Sequence, residues 1–108
     1  MTDLSCDLLV IGAGSGGLVA AKFGARLGVR VTLVDRRPPG GDCLYTGCVP
    51  SKALLKAARV AHEMRTAKRF GLSPSQPRVD LGEVMDRVNE SIAAVFERDS
   101  PDALACWA

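Results

Sequence analysis

The chain has 108 residues, of which 47% are hydrophobic and 24% charged, and its formal net charge at pH 7 is +2. This length allows one small domain, and the composition is that of an ordinary soluble globular protein. The mixed charges argue against a nucleic-acid or membrane-surface partner, and the acidic amino end lacks a basic signal region, so we expect a cytoplasmic protein without membrane partners.

The first predicted element is a buried parallel strand, because residues 7–11 form a continuous apolar run after one acid. The strand leads into a G-x-G-x-x-G turn and a helix over residues 15–27, for which Gly28 is a suitable C-terminal cap. The β-branched residues 29–34 predict a second strand, which ends at Asp35. Together these elements predict one βαβ unit.

The glycine-rich turn predicts a phosphate site for a dinucleotide. Gly12 permits the tight turn, Gly14 lets the backbone approach a pyrophosphate, and Gly17 lets the helix pack closely on the strand. The phosphates would lie at the helix N-terminus, where N–H groups attract anions, and the acid after the second strand would accept from a ribose hydroxyl. Residues 36–39 form a basic turn, for which a solvated linker is the favoured interpretation. The candidate cofactor-binding residues in this part of the chain are Gly12, Gly14, Ser15, Gly16, Gly17, Asp35 and Arg36.

Residues 40–52, Gly-Gly-Asp-Cys-Leu-Tyr-Thr-Gly-Cys-Val-Pro-Ser-Lys, place two cysteines five positions apart in a glycine-rich loop ahead of a helix. Pro50 predicts the first helical position, because its missing N–H would have no partner there. Cys48 then lies near the positive end of the helix dipole, which favours its thiolate. We interpret Cys43 and Cys48 as a redox-active dithiol in which Cys48 is the stabilised sulfur.

Two other roles for the cysteine pair remain open. A zinc site needs four ligands, usually from two close pairs, whereas Cys6 and Cys106 stand alone near the ends and His62 is the only histidine. A structural disulfide is disfavoured because cytosolic disulfides are usually catalytic or redox-sensing. No metal site is therefore predicted.

Residues 40–52 are called the cysteine segment below, and two amphipathic helices are predicted after its second cysteine. The first covers residues 50–70 and is followed by a proline-containing loop over residues 72–79. Asp80 and Glu83 form an aspartate version of a capping box, which starts a second helix running to about residue 98. Its apolar stripe is interpreted as core or interface and consists of Leu81, Val84, Met85, Val88, Ile92, Val95 and Phe96. Residues 99–108 show no pattern that predicts an element.

With these motifs in hand, the chain resembles the amino-terminal part of a flavin-dependent pyridine nucleotide–disulfide oxidoreductase, in the branch of dihydrolipoamide dehydrogenase and mercuric reductase-like proteins. The resemblance runs from about residue 6 to residue 101, and residues 40–52 are its most specific part. It implies an α/β fold, a partial Rossmann-like FAD-binding domain made of a βαβ unit followed by two helices. It also implies FAD as the cofactor, with its ADP half on the glycine turn.

The resemblance further implies roles in the cysteine segment. Cys43 would be the interchange thiol that meets the substrate, Cys48 the charge-transfer thiol against the flavin, and Lys52 the lysine beside the flavin ring. These three are the candidate catalytic residues, and Gly41, Asp42, Cys48 and Lys52 join the cofactor-binding set. Asp42 stands where many members have a threonine that contacts the pyrophosphate. Electrons would pass between NAD(P)H, flavin and the Cys43–Cys48 disulfide, and a small-molecule disulfide or a metal ion would be the substrate.

By the same resemblance, the family chain is several times longer and adds an NAD(P)-binding domain and a dimerisation domain that gives a homodimer. We therefore expect residues 1–108 to be the amino-terminal part of an FAD-binding domain, from a truncated or frameshifted reading frame and inactive alone. The alternative is a truncated, non-catalytic nucleotide-binding remnant. A weaker alternative is an NAD-dependent Rossmann dehydrogenase with incidental cysteines.

Overall fold

The computed structural model describes residues 4–106 of the chain. The predictions that involve residues 1–3, at the acidic amino end, and residues 107–108, at the end of the tail, lie outside the described residues. In chain order the elements are β1 (Leu8–Ile11), α1 (Ser15–Arg26), β2 (Val31–Val34), α2 (Gly41–Tyr45), α3 (Cys48–Arg65), a 3-10 helix (Ala67–Phe70), α4 (Leu81–Asp99) and α5 (Pro101–Ala105). No helix within residues 4–106 is both long enough and apolar enough to cross a membrane.

The two strands and α1 form the predicted βαβ unit. β1 and β2 are parallel neighbours in register, from Leu8 opposite Val31 to Ile11 opposite Val34, and α1 packs against both strands. The α/β fold class of a partial Rossmann-like domain is therefore confirmed. β2 begins two residues later than predicted, because the N–H of Val29 donates to the Gly24 carbonyl at the end of α1 and not to the sheet.

The cysteine segment differs from the predicted loop in two respects. It contains a short helix, α2, and the following helix α3 begins at Cys48 with Gly47 as its N-cap. Pro50 therefore occupies the third helical position and not the first. This position is equally tolerated, because the N–H groups of the first helical turn have no partner within the helix. Both cysteines consequently lie on helices.

The helices α3 and α4 pack along each other. The predicted loop after residue 71 and the cap of α4 are confirmed, since the Asp80 carboxylate accepts from the N–H groups of Gly82 at 2.8 Å and Glu83 at 3.3 Å. Of the predicted apolar stripe on α4, Val88 is buried, whereas Met85 is 43% exposed. The pair of helices therefore leaves part of its apolar surface uncovered.

A short helix, α5, follows α4 where no element was predicted. Its start carries an ordinary signal, because the Ser100 hydroxyl accepts from the N–H of Ala103 at 3.2 Å and Pro101 is the first helical residue. An ion pair between Lys22 and Asp99 joins α1 to the end of α4 just before this helix. The end of the helical pair is thus tied to the βαβ unit.

Few side chains are buried, and the molecule is elongated. Its extents are 66 × 27 × 18 Å and its radius of gyration is 19.8 Å, against about 13 Å for a compact domain of this length. Apolar side chains are also exposed at the carboxyl ends of the two strands, where Ile11 is 81% exposed and Val34 is 48% exposed. Within residues 4–106 the buried hydrophobic residues are Ala13, Leu18, Ala21, Leu44 and Val88. Two of these, Ala13 and Leu44, belong to the glycine turn and to α2, the segments that form the candidate site.

The cap of α4 supplies a first prediction. Asp80→Ala removes the acceptor for two backbone N–H groups, so we expect the free energy of unfolding to fall by about 1 kcal/mol. Asp86→Ala is the matched control, because this exposed acid lies inside α4 and caps nothing. Thermal unfolding followed by circular dichroism measures both variants. Equal stability of the two variants would contradict the capping role.

Candidate functional site

The glycine turn between β1 and α1 is tight and closely packed. Gly12 has a φ of +103°, in the left-handed region that favours glycine. A Cβ on Gly17 would overlap the Gly12 carbonyl oxygen and would lie 2.9 Å from its carbon. The geometry predicted for these two glycines is therefore present, while their binding of a cofactor stays a prediction.

The N-terminus of α1 faces open space. Its N-cap is Gly14, which makes no side-chain capping hydrogen bond, and Gly16 has nothing within 4 Å of the place where a Cβ would lie. Backbone N–H groups at such an end carry partial positive charge and attract anions. The turn therefore fits the pyrophosphate of a dinucleotide, with glycine surface where the phosphates would approach.

Asp35 connects the end of β2 to the glycine turn. One carboxylate oxygen accepts from the N–H of Ala13 at 2.6 Å and the other accepts from the N–H of Arg37 at 2.9 Å. These two bonds, the Ala13 bond first, hold the pKa of Asp35 below its usual value. A carboxylate oxygen can accept more than one hydrogen bond, so the predicted ribose contact remains compatible with this arrangement. The sequence did not identify Ala13 as a partner of this acid.

The glycine turn and the cysteine segment meet backbone to backbone. Gly41 has a φ of +62°, and a Cβ there would lie 2.8 Å from the Cα of Gly14. Next to this contact, the N–H of Gly40 donates to the Ala13 carbonyl at 2.8 Å. Two segments that are distant in sequence therefore form one surface, which any side chain at residue 41 would force apart.

The two cysteines of the cysteine segment form no disulfide, and each influences the pKa of the other. The hydrogen bond from Cys48 lowers the pKa of Cys43, and the Ser15 hydroxyl lowers it further. The same bond and the charge on Cys43 raise the pKa of Cys48, because they favour keeping the Cys48 proton. These directions are opposite to the expectation that Cys48 is the stabilised sulfur, and the assignment of the two thiols stays a prediction.

The remaining candidates divide into two groups. Lys52 is exposed, and its positive charge lowers the pKa of both cysteines. Asp42, with 86% of its side chain exposed, pairs loosely with Arg37 at 3.8 Å, and Arg36 is exposed as well. The structure brings together Gly12, Gly14, Ser15, Gly16, Gly17, Asp35, Gly41, Cys43, Cys48 and Lys52. It provides no specific contact for Asp42 or Arg36 at the glycine turn.

The described part of the chain contains no set of side chains arranged as zinc ligands. No group of three or more histidine, cysteine, aspartate or glutamate side chains within residues 4–106 is arranged to hold a metal ion. Two free thiols whose pKa values are lowered by a lysine charge are suited instead to thiol–disulfide exchange, which needs an accessible sulfur with thiolate character.

The chain is similar to known proteins over most of its length. A family described as "Pyridine nucleotide-disulphide oxidoreductase" matches residues 6–102. The chain is 46% identical over 84 residues to a dihydrolipoyl dehydrogenase of Zymomonas mobilis and 53% identical over 75 residues to dihydrolipoyl dehydrogenase 2 of Haloarcula marismortui. A dihydrolipoyl dehydrogenase of Chlamydia muridarum is 38% identical over 89 residues.

These matches cover most of the chain but a small part of each relative. They take in 78%, 69% and 82% of the chain and 18%, 16% and 19% of the three relatives. The chain therefore spans less than one fifth of the length of these proteins.

Proposed function

The chain belongs to the pyridine nucleotide-disulphide oxidoreductase family, and from this premise we propose that residues 1–108 form the amino-terminal part of an FAD-binding domain with Cys43 and Cys48 as its redox pair. The contact between the glycine turn and the cysteine segment carries the proposal. Gly41 lies against Gly14, so the predicted phosphate site and the dithiol share one surface. A cofactor bound by its phosphates at the turn would then lie beside the thiols.

The residues present fit the ADP half of FAD. The uncapped N-terminus of α1 would hold the pyrophosphate, with open space beside Gly16, and Asp35 would accept from the ribose. The flavin would supply two-electron chemistry between a nicotinamide nucleotide and the thiols. Lys52 would place a positive charge beside the reacting sulfurs, where its charge already favours the thiolates.

Exchange with a substrate disulfide requires only the two thiols of this pair. In the direction of disulfide reduction, the Cys43 thiolate attacks one sulfur of the substrate, forming a mixed disulfide and releasing the other substrate sulfur as a thiolate. Cys48, once deprotonated, attacks the Cys43 sulfur and releases the second substrate thiolate, leaving a Cys43–Cys48 disulfide. In the reverse direction, a substrate dithiol is oxidised and the protein disulfide is reduced.

The substrate class follows from the relatives. All three are named dihydrolipoyl dehydrogenases, which favours a dihydrolipoyl dithiol or its disulfide over a metal ion. For the whole protein, the sequence resemblance adds NAD(P)H as the second cofactor and a homodimer as the assembly. We propose both on that ground.

The phosphate site is tested by Gly14→Val. A branched side chain there would fill the space between the turn and Gly41, where a Cβ already comes within 4.0 Å of the Gly41 Cα. We expect the variant to lose binding of FAD and of ADP by more than about 100-fold, because the backbone can no longer approach the pyrophosphate. Titration calorimetry with ADP and quenching of flavin fluorescence measure the binding. Ala20→Val introduces the same side chain at an exposed position of α1 and should bind like the unmodified chain.

Equal affinity of Gly14→Val and Ala20→Val for ADP would show that the glycine turn is not the phosphate site. A nucleotide-binding remnant is the alternative function. It predicts ADP binding together with a Cys43 that exchanges disulfides no faster than Cys6, and the two measurements on the same chain separate the possibilities.

A further inference from the structure

We propose that Arg37 and Asp42 form a charge pair at the edge of the phosphate site, in which the Arg37 guanidinium offsets the repulsion between the Asp42 carboxylate and the phosphates of a bound dinucleotide. The inference deepens the proposed function and rests on it, since it takes the glycine turn as the phosphate site. It assigns a role to Arg37, which is not among the site residues predicted from the sequence, and a direction to the effect of Asp42 on binding.

The backbone of Arg37 is fixed to the glycine turn through Asp35. The N–H of Arg37 donates to one carboxylate oxygen of Asp35 at 2.9 Å, and the other oxygen accepts from the N–H of Ala13 at 2.6 Å. Ala13 lies inside the glycine turn, directly before Gly14. One carboxylate therefore joins the base of the Arg37 side chain to the segment that would receive the phosphates.

The Asp42 carboxylate is brought to the same place by α2. Asp42 directly follows Gly41, and a Cβ on Gly41 would lie 2.8 Å from the Cα of Gly14, the N-cap of α1. Asp42 is an acid in the first turn of α2, whereas the first turn of α1 contains no acid. The backbone contact between Gly41 and Gly14 thus carries a negative charge to the side of the phosphate site.

The two side chains meet between the end of β2 and the start of α2. The Arg37 Nη1 atom lies 3.8 Å from the Asp42 Oδ1 atom, and both side chains are mostly exposed. In the described part of the chain, Arg37 is the only cation paired with Asp42. An exposed ion pair at this distance contributes little to folding. Beside an anionic ligand the sign of each charge matters more, because the carboxylate repels the phosphates and the guanidinium attracts them.

The test is titration calorimetry with ADP at about 10 mM salt, where charges are weakly screened. Asp42→Asn removes the repulsion and should bind ADP more tightly than the unmodified chain. Arg37→Gln removes the compensating charge and should bind ADP more weakly. Each change should be roughly two- to five-fold, the size usual for an interaction between exposed charges. Arg37→Lys keeps the charge and should bind ADP like the unmodified chain.

The matched controls are Arg59→Gln and Glu63→Gln, which make charge changes of the same kind in another exposed ion pair. The Arg59 and Glu63 side chains pair at 2.9 Å, and Arg59 lies about three helical turns beyond the first residue of α3. Both control variants should bind ADP like the unmodified chain. Titrations repeated at about 1 M salt should remove most of the difference between Asp42→Asn and Arg37→Gln, because salt screens exposed charges. A difference that came only from the shapes of the side chains would persist.

The proposal is overturned if Asp42→Asn and Arg37→Gln bind ADP with the affinity of the control variants. It is also overturned if their difference stays undiminished at high salt, or if Arg37→Lys loses as much affinity as Arg37→Gln.

Gly14→Val distinguishes a failure of this proposal from a failure of the proposed function. If Gly14→Val binds ADP like the unmodified chain, the glycine turn is not the phosphate site and both proposals fail. If Gly14→Val loses ADP while Asp42→Asn and Arg37→Gln change nothing, the phosphate site stands and the charge pair alone is refuted.

Discussion

Replacing Cys43 by serine should abolish reduction of oxidised lipoamide by the reduced chain, with a loss of roughly two orders of magnitude or more, because a serine hydroxyl is not a nucleophile at neutral pH. Replacing Cys48 should instead stop the reaction halfway. The remaining Cys43 still attacks, but no second thiol is available to resolve the mixed disulfide. Intact-mass spectrometry should therefore find a lipoamide adduct on Cys48→Ser and none on Cys43→Ser. The unmodified chain should lose two hydrogens as its own disulfide forms.

The two other cysteines provide controls for this experiment. Cys6→Ser and Cys106→Ser remove thiols from outside the site, one half-buried and one exposed, and should leave the reaction unchanged. An adduct that accumulates on Cys43→Ser at residue 48 would reverse the assignment of the attacking thiol. That result would contradict the interchange role that the resemblance implies for Cys43, and also the direction in which its pKa is shifted.

The βαβ unit was predictable because its signals are local. An apolar run, a glycine turn and a β-branched run follow one another, and each specifies its element without help from the rest of the chain. The boundaries were less predictable, since they depend on competing hydrogen bonds. The β-branched side chain of Val29 favours a strand, yet its N–H donates to the Gly24 carbonyl at the end of α1. Pro50 suits any position in the first helical turn, so it located α3 only to within two residues.

The candidate site was predictable as two separate motifs and not as one surface. The spacing of Cys43 and Cys48 indicated a dithiol, and the glycine pattern indicated a phosphate site. The pKa of each thiol depends first on the other thiol, and that of Cys43 depends next on the Ser15 hydroxyl, which lies on another helix. The positive φ of Gly41 could be suspected from its residue type, but its approach to Gly14 could not. The missed helix α5 is different, because Ser100 followed by Pro101 was a recognisable start signal.

The largest effect on stability is expected from Gly17→Ala. The new Cβ would overlap the Gly12 carbonyl oxygen, and neither backbone can withdraw easily, because the N–H of Gly12 donates to the Val34 carbonyl at 2.7 Å in the sheet. We expect the free energy of unfolding to fall by about 3 kcal/mol or more. So few side chains are buried in the described part of the chain that such a loss should leave the βαβ unit largely unfolded.

Gly16→Ala is the control that makes this expectation sharp, since it adds the same methyl group to the neighbouring residue of α1. Its Cβ would meet nothing within 4 Å, and alanine is a better helix former than glycine, so stability should be unchanged or slightly raised. Circular dichroism at increasing temperature compares the two variants. Because both substitutions have the same composition and lie in the same helical turn, a difference between them can come only from the packing of residue 17 on the glycine turn. Matching melting curves would show that the turn can move away from α1, and the close approach at Gly17 would then not determine the geometry of the phosphate site.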